Sequence, residues 1–127
     1  MPAERSLTPA EAGLVSLSAA IASADADSIV AATEHALRDG ASLEAVYETL
    51  LQSYLFVGFP RAIEALFAAG PVLRLHGFDP PSADGAEIAR WNASGEKLCR
   101  TVYGRNYEKL VETMRGLSPD LAAWMIR

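Results

Sequence analysis

Apolar positions recur along this chain at helical spacing, in short blocks separated by glycine, proline and small polar residues. Leu14, Val15, Leu17, Ala20 and Ile21 share one face of a helix that starts at Thr8-Pro9-Ala10-Glu11. That tetrad reads as a capping box, with proline in the first helical position, where a missing N–H is harmless. Residues 1–7 before it read as a short loose arm. The first helix ends near Ser23. Ala24-Asp25-Ala26-Asp27 then supplies caps for a second helix carrying Ile29, Val30 and Leu37. Gly40 stops that helix where left-handed backbone is wanted.

The longest periodic run spans residues 43–69. Ser42 caps it, and Val46, Leu50, Leu51 and Leu55 form its stripe, with Tyr47 and Tyr54 alongside. Gly58-Phe59-Pro60 interrupts the run, and Pro60 suits the first turn of a new helix. Ile63, Leu66 and Phe67 make the stripe of that helix, and Gly70-Pro71 is expected to end it. The pattern therefore predicts a bent pair of helices hinged at the glycine–aromatic–proline corner.

Residues 70–81 read as a connector to which Val72-Leu73-Arg74-Leu75 adds a helical turn. Ser82 caps a helix carrying Ile88, Trp91, Leu98 and Val102, weakened at Gly95 and broken at Gly104. A helix over 106–115 puts Tyr107, Leu110, Val111 and Met114 on one side. Ser118-Pro119-Asp120 starts a final short helix with Leu121, Trp124, Met125 and Ile126. So apolar a short helix is expected to be buried by a partner chain or another subunit. No segment carries the two-residue period of a strand. The expectation is an all-α single domain of about six helices over 1–127, with its core motif at 7–69 and C-terminal helices at 82–127.

Composition narrows the function classes. Half of the 127 residues are hydrophobic and 21% are charged, as in ordinary globular proteins. A net charge of -5 argues against nucleic acid and acidic membrane surfaces. One cysteine, Cys99, cannot make an internal disulfide and points to the cytoplasm; it reads as a small buried apolar residue. No apolar run reads as long enough to span a bilayer, and the N-terminus lacks signal-peptide features. The two histidines, His35 and His76, have no spaced acidic partners, so neither a metal site nor a cofactor is expected.

From Leu7 to Ala69 the sequence resembles the carboxymuconolactone decarboxylase family, which includes the alkylhydroperoxidase-like proteins. Residues 11–17, 36–42, 47–52 and 58–62 carry the likeness, and Tyr-Glu-Thr-Leu-Leu-Gln at 47–52 followed by Gly-Phe-Pro-Arg-Ala at 58–62 is its most specific part. Residues 95–127 resemble a segment that normally precedes the core helices of that family, so the order is permuted or the chain is one piece of a tandem arrangement. The resemblance implies an all-α fold and ring assembly, as a homo-oligomer, a trimer or hexamer.

It also locates the family's chemistry. The peroxidase branch keeps a Cys-x-x-Cys pair, a histidine and an upstream glutamate. Those positions fall here on Asp25 and Ser28, on Ala32, and near Gly13, with Glu11 two residues away. Without the pair no thiol cycle runs. The decarboxylase branch keeps a histidine at the position of Ala32 and often another at that of Gln52. His35 lies one helical turn past Ala32 and replaces the missing imidazole, or is a surface histidine beside Glu34 and Arg38. His76 is a loop histidine or lines a pocket. Arg61, at a helix start where the dipole disfavours it, suggests a grip on a carboxylate ligand or on a glutamate across a subunit interface. Trp91, Tyr103, Tyr107 and Trp124 read as core or interface anchors. Three functions follow: an oligomeric member with an altered site that binds a small organic acid near Arg61, His35 and Gln52; an active lactone decarboxylase using His35 or His76; or a non-catalytic binding subunit.

Overall fold

The computed structural model describes residues 6–81 and 85–125. It is all-α. Among the described residues seven α-helices and one 3-10 turn follow in order: α1 Pro9–Ser23, α2 Ala26–Arg38, α3 Leu43–Gln52, α4 Tyr54–Leu75, α5 Gly85–Tyr103, the turn Gly104–Asn106, α6 Tyr107–Leu117 and α7 Pro119–Met125. No strand occurs among the described residues. Contacts divide the chain into two compact units, Met1–Pro80 and Pro81–Arg127.

Local chemistry sets the helix ends of the first unit. The Thr8 hydroxyl accepts from the Glu11 amide while the Glu11 carboxylate accepts from the Thr8 amide, completing the capping box. Asp25 caps α2 by accepting from the Ser28 amide at 2.8 Å, and Ser42 caps α3 by accepting from that of Ala45 at 3.1 Å. Gly40 takes φ 95° just past α2, as its position predicts.

The core of this unit is Leu17 and Ile21 from α1, Ile29 and Ala36 from α2, Val46 and Leu50 from α3, and Ala65, Ala69 and Leu73 from α4. Thr33 is buried among them, its hydroxyl donating to the Ile29 carbonyl at 2.8 Å. Helices α1 and α2 approach closely at Gly13, where an added Cβ would stand 2.9 Å from Ala36 Cα.

Several expectations for residues 43–75 are corrected. The run has two joints. The first is Ser53, whose hydroxyl donates to the Leu50 carbonyl at 2.7 Å and competes with the continuing helix. The second is Gly58, at φ 81° and ψ 163°, inside α4. Gly70-Pro71 does not end the helix, which continues to Leu75. Pro71 is on the exposed side, where water can meet the carbonyl its missing N–H leaves free. The buried side of α4 is Ala62, Ala65, Ala69, Val72 and Leu73, whereas Ile63 and Phe67 face outward. Leu51 and Leu55, expected on the α3 core stripe, are also exposed. Small residues let α4 lie close against α2 and α3, and the large ones are left outside. At 22 residues, with an 18-residue stretch of mean hydropathy 1.3, α4 is long and apolar enough to cross a bilayer by length and composition, contrary to the sequence expectation. It nevertheless carries Arg61, Glu64 and two prolines, and its alanine side is core.

In the second unit α5 ends before Gly104, which takes φ 51°. The proposed cap Ser82 lies outside the described residues, as do residues 1–5 of the N-terminal arm and Ile126. Arg100 holds Glu96 at 2.8 Å and Glu108 at 2.6 Å and lies over the Tyr107 ring, 4.4 Å from its centroid. Tyr107 is buried, whereas Trp91, Tyr103 and Trp124 are exposed.

Candidate functional site

Each sequence-predicted site residue has a clear position. Gln52, at the end of α3, lines a cleft of about 310 Å³ with Ser18, Ile21 and Ala22 of α1, Thr49 of α3, and Ser53, Phe56 and Val57. Most of this wall is apolar. Three of its hydroxyls donate into their own helices: Ser18 to the Leu14 carbonyl, Thr49 to that of Ala45 and Ser53 to that of Leu50. The Gln52 amide donates to the Glu48 carboxylate at a long 3.5 Å. Its Nε2 is thus the weakly engaged donor of the cleft.

Arg61 reaches from α4 to the C-terminal end of α1. Its Nε donates to the Ile21 carbonyl at 2.6 Å, one terminal nitrogen donates to the carbonyls of Ala24 and Ala20, and the other meets Glu64 at 3.2 Å. The guanidinium closes the carbonyl end of α1, where a cation is favoured by the dipole. This is an intrachain role that sequence reasoning missed. Its signal is present only in three dimensions, because the carbonyls lie about forty residues earlier. Beside it lies a separate hollow of about 410 Å³ lined by Ala26, Ile29, Arg61, Glu64, Phe67 and Ala68.

His35 is on the outer face of α2, its side chain 61% exposed, with Nδ1 2.9 Å from the Asp39 carboxylate. This one-turn pair was not among the expected neighbours of His35. His76 caps the end of α4 and lines a third hollow, of about 490 Å³, with Glu34, Leu37, Arg38, Ala41 and Leu43. Gln52, Arg61 and His76 therefore open onto three different hollows.

The remaining family positions are occupied structurally. Asp25 and Ser28 form the α2 cap, and the Ser28 amide holds the Asp25 carboxyl below its ordinary pKa. Ala32 packs half-buried against the core, and Gly13 is the α1–α2 contact. Glu11 closes the capping box. Among the described residues no three His, Cys, Asp or Glu gather to hold a metal ion. No curated protein and no solved structure matches the chain. Residues 2–70 match the model of a protein family described as the carboxymuconolactone decarboxylase family.

Proposed function

Because the chain belongs to the carboxymuconolactone decarboxylase family, we propose that it is a homo-oligomeric, cytoplasmic member of that family with an altered site, binding a small organic molecule without thiol peroxidase chemistry. The cleft at Gln52 carries this reading. It offers an apolar trough of about 310 Å³ with one amide donor at the position where the decarboxylase branch often keeps a histidine. A lactone or small organic acid fits that chemistry: its carbon skeleton lies against Ile21, Phe56 and Val57, and its carbonyl or carboxylate oxygen accepts from Gln52 Nε2. Asp25 and Ser28 supply no nucleophilic sulfur.

The test is calorimetric titration with muconolactone and with its ring-opened acid. Binding that weakens about tenfold in Gln52→Ala, the scale of one lost hydrogen bond, is the expected result. Binding unchanged in that variant rules the cleft out.

A second reading, an active lactone decarboxylase, is favoured by the His35–Asp39 pair, since a carboxylate at 2.9 Å orients an imidazole for proton transfer. Turnover with a pH–rate profile altered by His35→Ala or His76→Ala supports it; no turnover, or turnover unchanged in both variants, defeats it.

A further inference from the structure

The hollow at His76 is lined from two helix ends of the same design. At the end of α2 the Gly40 amide donates to the Leu37 carbonyl at 3.1 Å, and the Ala41 amide to that of Ala36 at 3.0 Å. At the end of α4 the Gly77 amide donates to the Arg74 carbonyl at 2.9 Å, and the Phe78 amide to that of Leu73 at 3.0 Å. Both glycines have positive φ, 95° and 80°. These are Schellman closures, which fix the last turn of a helix. Arg38 and His76 are therefore presented from closed helix ends.

The floor of the hollow is apolar and anchored. Leu37, Ala41 and Leu43 line it, and each packs half-buried against the core of the first unit. The rim is charged and unmatched. Glu34 and Arg38 lie four residues apart on α2, the spacing at which acid and base ordinarily pair. Among the described residues neither takes part in an ion pair, and the His76 ring makes no hydrogen bond. The acid next to Arg38, Asp39, is held instead by His35 at 2.9 Å.

We propose that this hollow binds a free α-amino acid with an aliphatic side chain. Arg38 pairs with the carboxylate, Glu34 accepts from the ammonium group, and the side chain lies over Leu37, Ala41 and Leu43.

Charge selects this ligand. A dicarboxylate or a phosphate brings a second negative charge against Glu34, and a simple amine leaves Arg38 unmatched beside a like charge. A zwitterion answers both. Its scale agrees, since helix neighbours at this spacing have Cβ atoms about 5–6 Å apart, so two charges carried on one carbon reach both side chains. A guanidinium grips a carboxylate through two parallel N–H donors. The carbonyl ends of α2 and α4 favour the cationic part. His76 adds a ring nitrogen from α4 that donates to or accepts from the ligand. The volume, about 490 Å³, is that of a small-molecule site. No lining residue is shared with the Gln52 cleft, so the two readings stand or fall separately.

The test is calorimetric titration of the full chain with L-leucine, with isocaproate, which lacks the ammonium group, and with isopentylamine, which lacks the carboxylate. Leucine is expected to bind at least tenfold more tightly than either analogue. Arg38→Gln and Glu34→Gln are each expected to weaken leucine at least tenfold, the scale of one hydrogen bond to a charged group. Both positions are exposed, and circular dichroism checks that the variants fold. Should either lose its fold, amide NMR of the unaltered chain decides. Leucine-induced shifts at Gly40, Ala41 and Gly77 support the proposal, and shifts confined to Ser18, Thr49 and Ser53 place leucine in the Gln52 cleft and overturn it. Isocaproate binding as tightly as leucine, folded variants that bind leucine unchanged, or no binding at millimolar leucine also overturns it.

Discussion

Arg61 Nε donates to the carbonyl of Ile21 at 2.6 Å, across forty residues of chain, and thereby fastens the start of α4 to the end of α1. The same guanidinium reaches the Ala24 carbonyl. Arg61→Ala leaves both acceptors without this donor, and a loss of about 2–3 kcal/mol is expected in urea unfolding. Arg61→Lys recovers only part of it, because an ammonium cannot span several carbonyls as a planar fork does. An Arg61→Ala change within about 0.5 kcal/mol of wild type, as for an ordinary surface site, would show the fastening to be decorative.

Gly13→Ala sets helix propensity against packing. Alanine favours a helix over glycine by about 1 kcal/mol. The new Cβ would stand 2.9 Å from Ala36 Cα, a backbone atom that moves only if α2 moves. Overpacking costs about 1–3 kcal/mol, so the packing loss dominates and Tm falls. A higher Tm for Gly13→Ala would contradict the contact.

Gly58 has φ 81° and ψ 163°, a combination side chains with a Cβ rarely adopt. Space is not the obstacle, since the nearest atom to an added Cβ is Pro60 Cδ at 3.8 Å. Gly58→Ala is therefore expected to lose about 1–3 kcal/mol through backbone strain alone. Denaturant unfolding measures it, and an unchanged midpoint would mean that the bend can be dispensed with.

Asp25 ties stability to acid. The Ser28 amide lowers its folded pKa, so its contribution is present above the unfolded carboxylate value and lost as pH falls through the folded value. Asp25→Ala should melt below wild type at pH 7, and the two curves should converge on acidification below the ordinary aspartate range. A Tm gap that stays constant down to strong acid would show that the charge plays no part in the cap.

The legible parts of this fold are those decided within a few residues. Thr8 with Glu11, Asp25, Ser42, Gly40 and Gly104 each act on neighbours along the chain, and each stands where the pattern predicts. What depends on distant partners was not legible. Whether α4 buries Ile63 and Phe67 or the alanines between them depends on how closely α2 and α3 approach, and hydrophobicity alone chooses wrongly. Pro71 reads as a helix stop until it is seen on an exposed surface. The surroundings of the candidate residues also depend on distant elements. Gln52 lies at a cleft, but Arg61 is claimed by carbonyls of α1, a pairing with no periodic trace.

The approach of α1 to α2 also bears on which side chains this seam can accept. Asp25 and Ser28 are exposed, so a pair of cysteines could be substituted there without disturbing the core. A carboxylate at residue 13 is another matter. Its place near residue 13 abuts the Ala36 backbone, and any side chain rooted at Gly13 must first push two helices apart. Placing an acid at residue 13 would therefore take a second-site enlargement of the α1–α2 seam first.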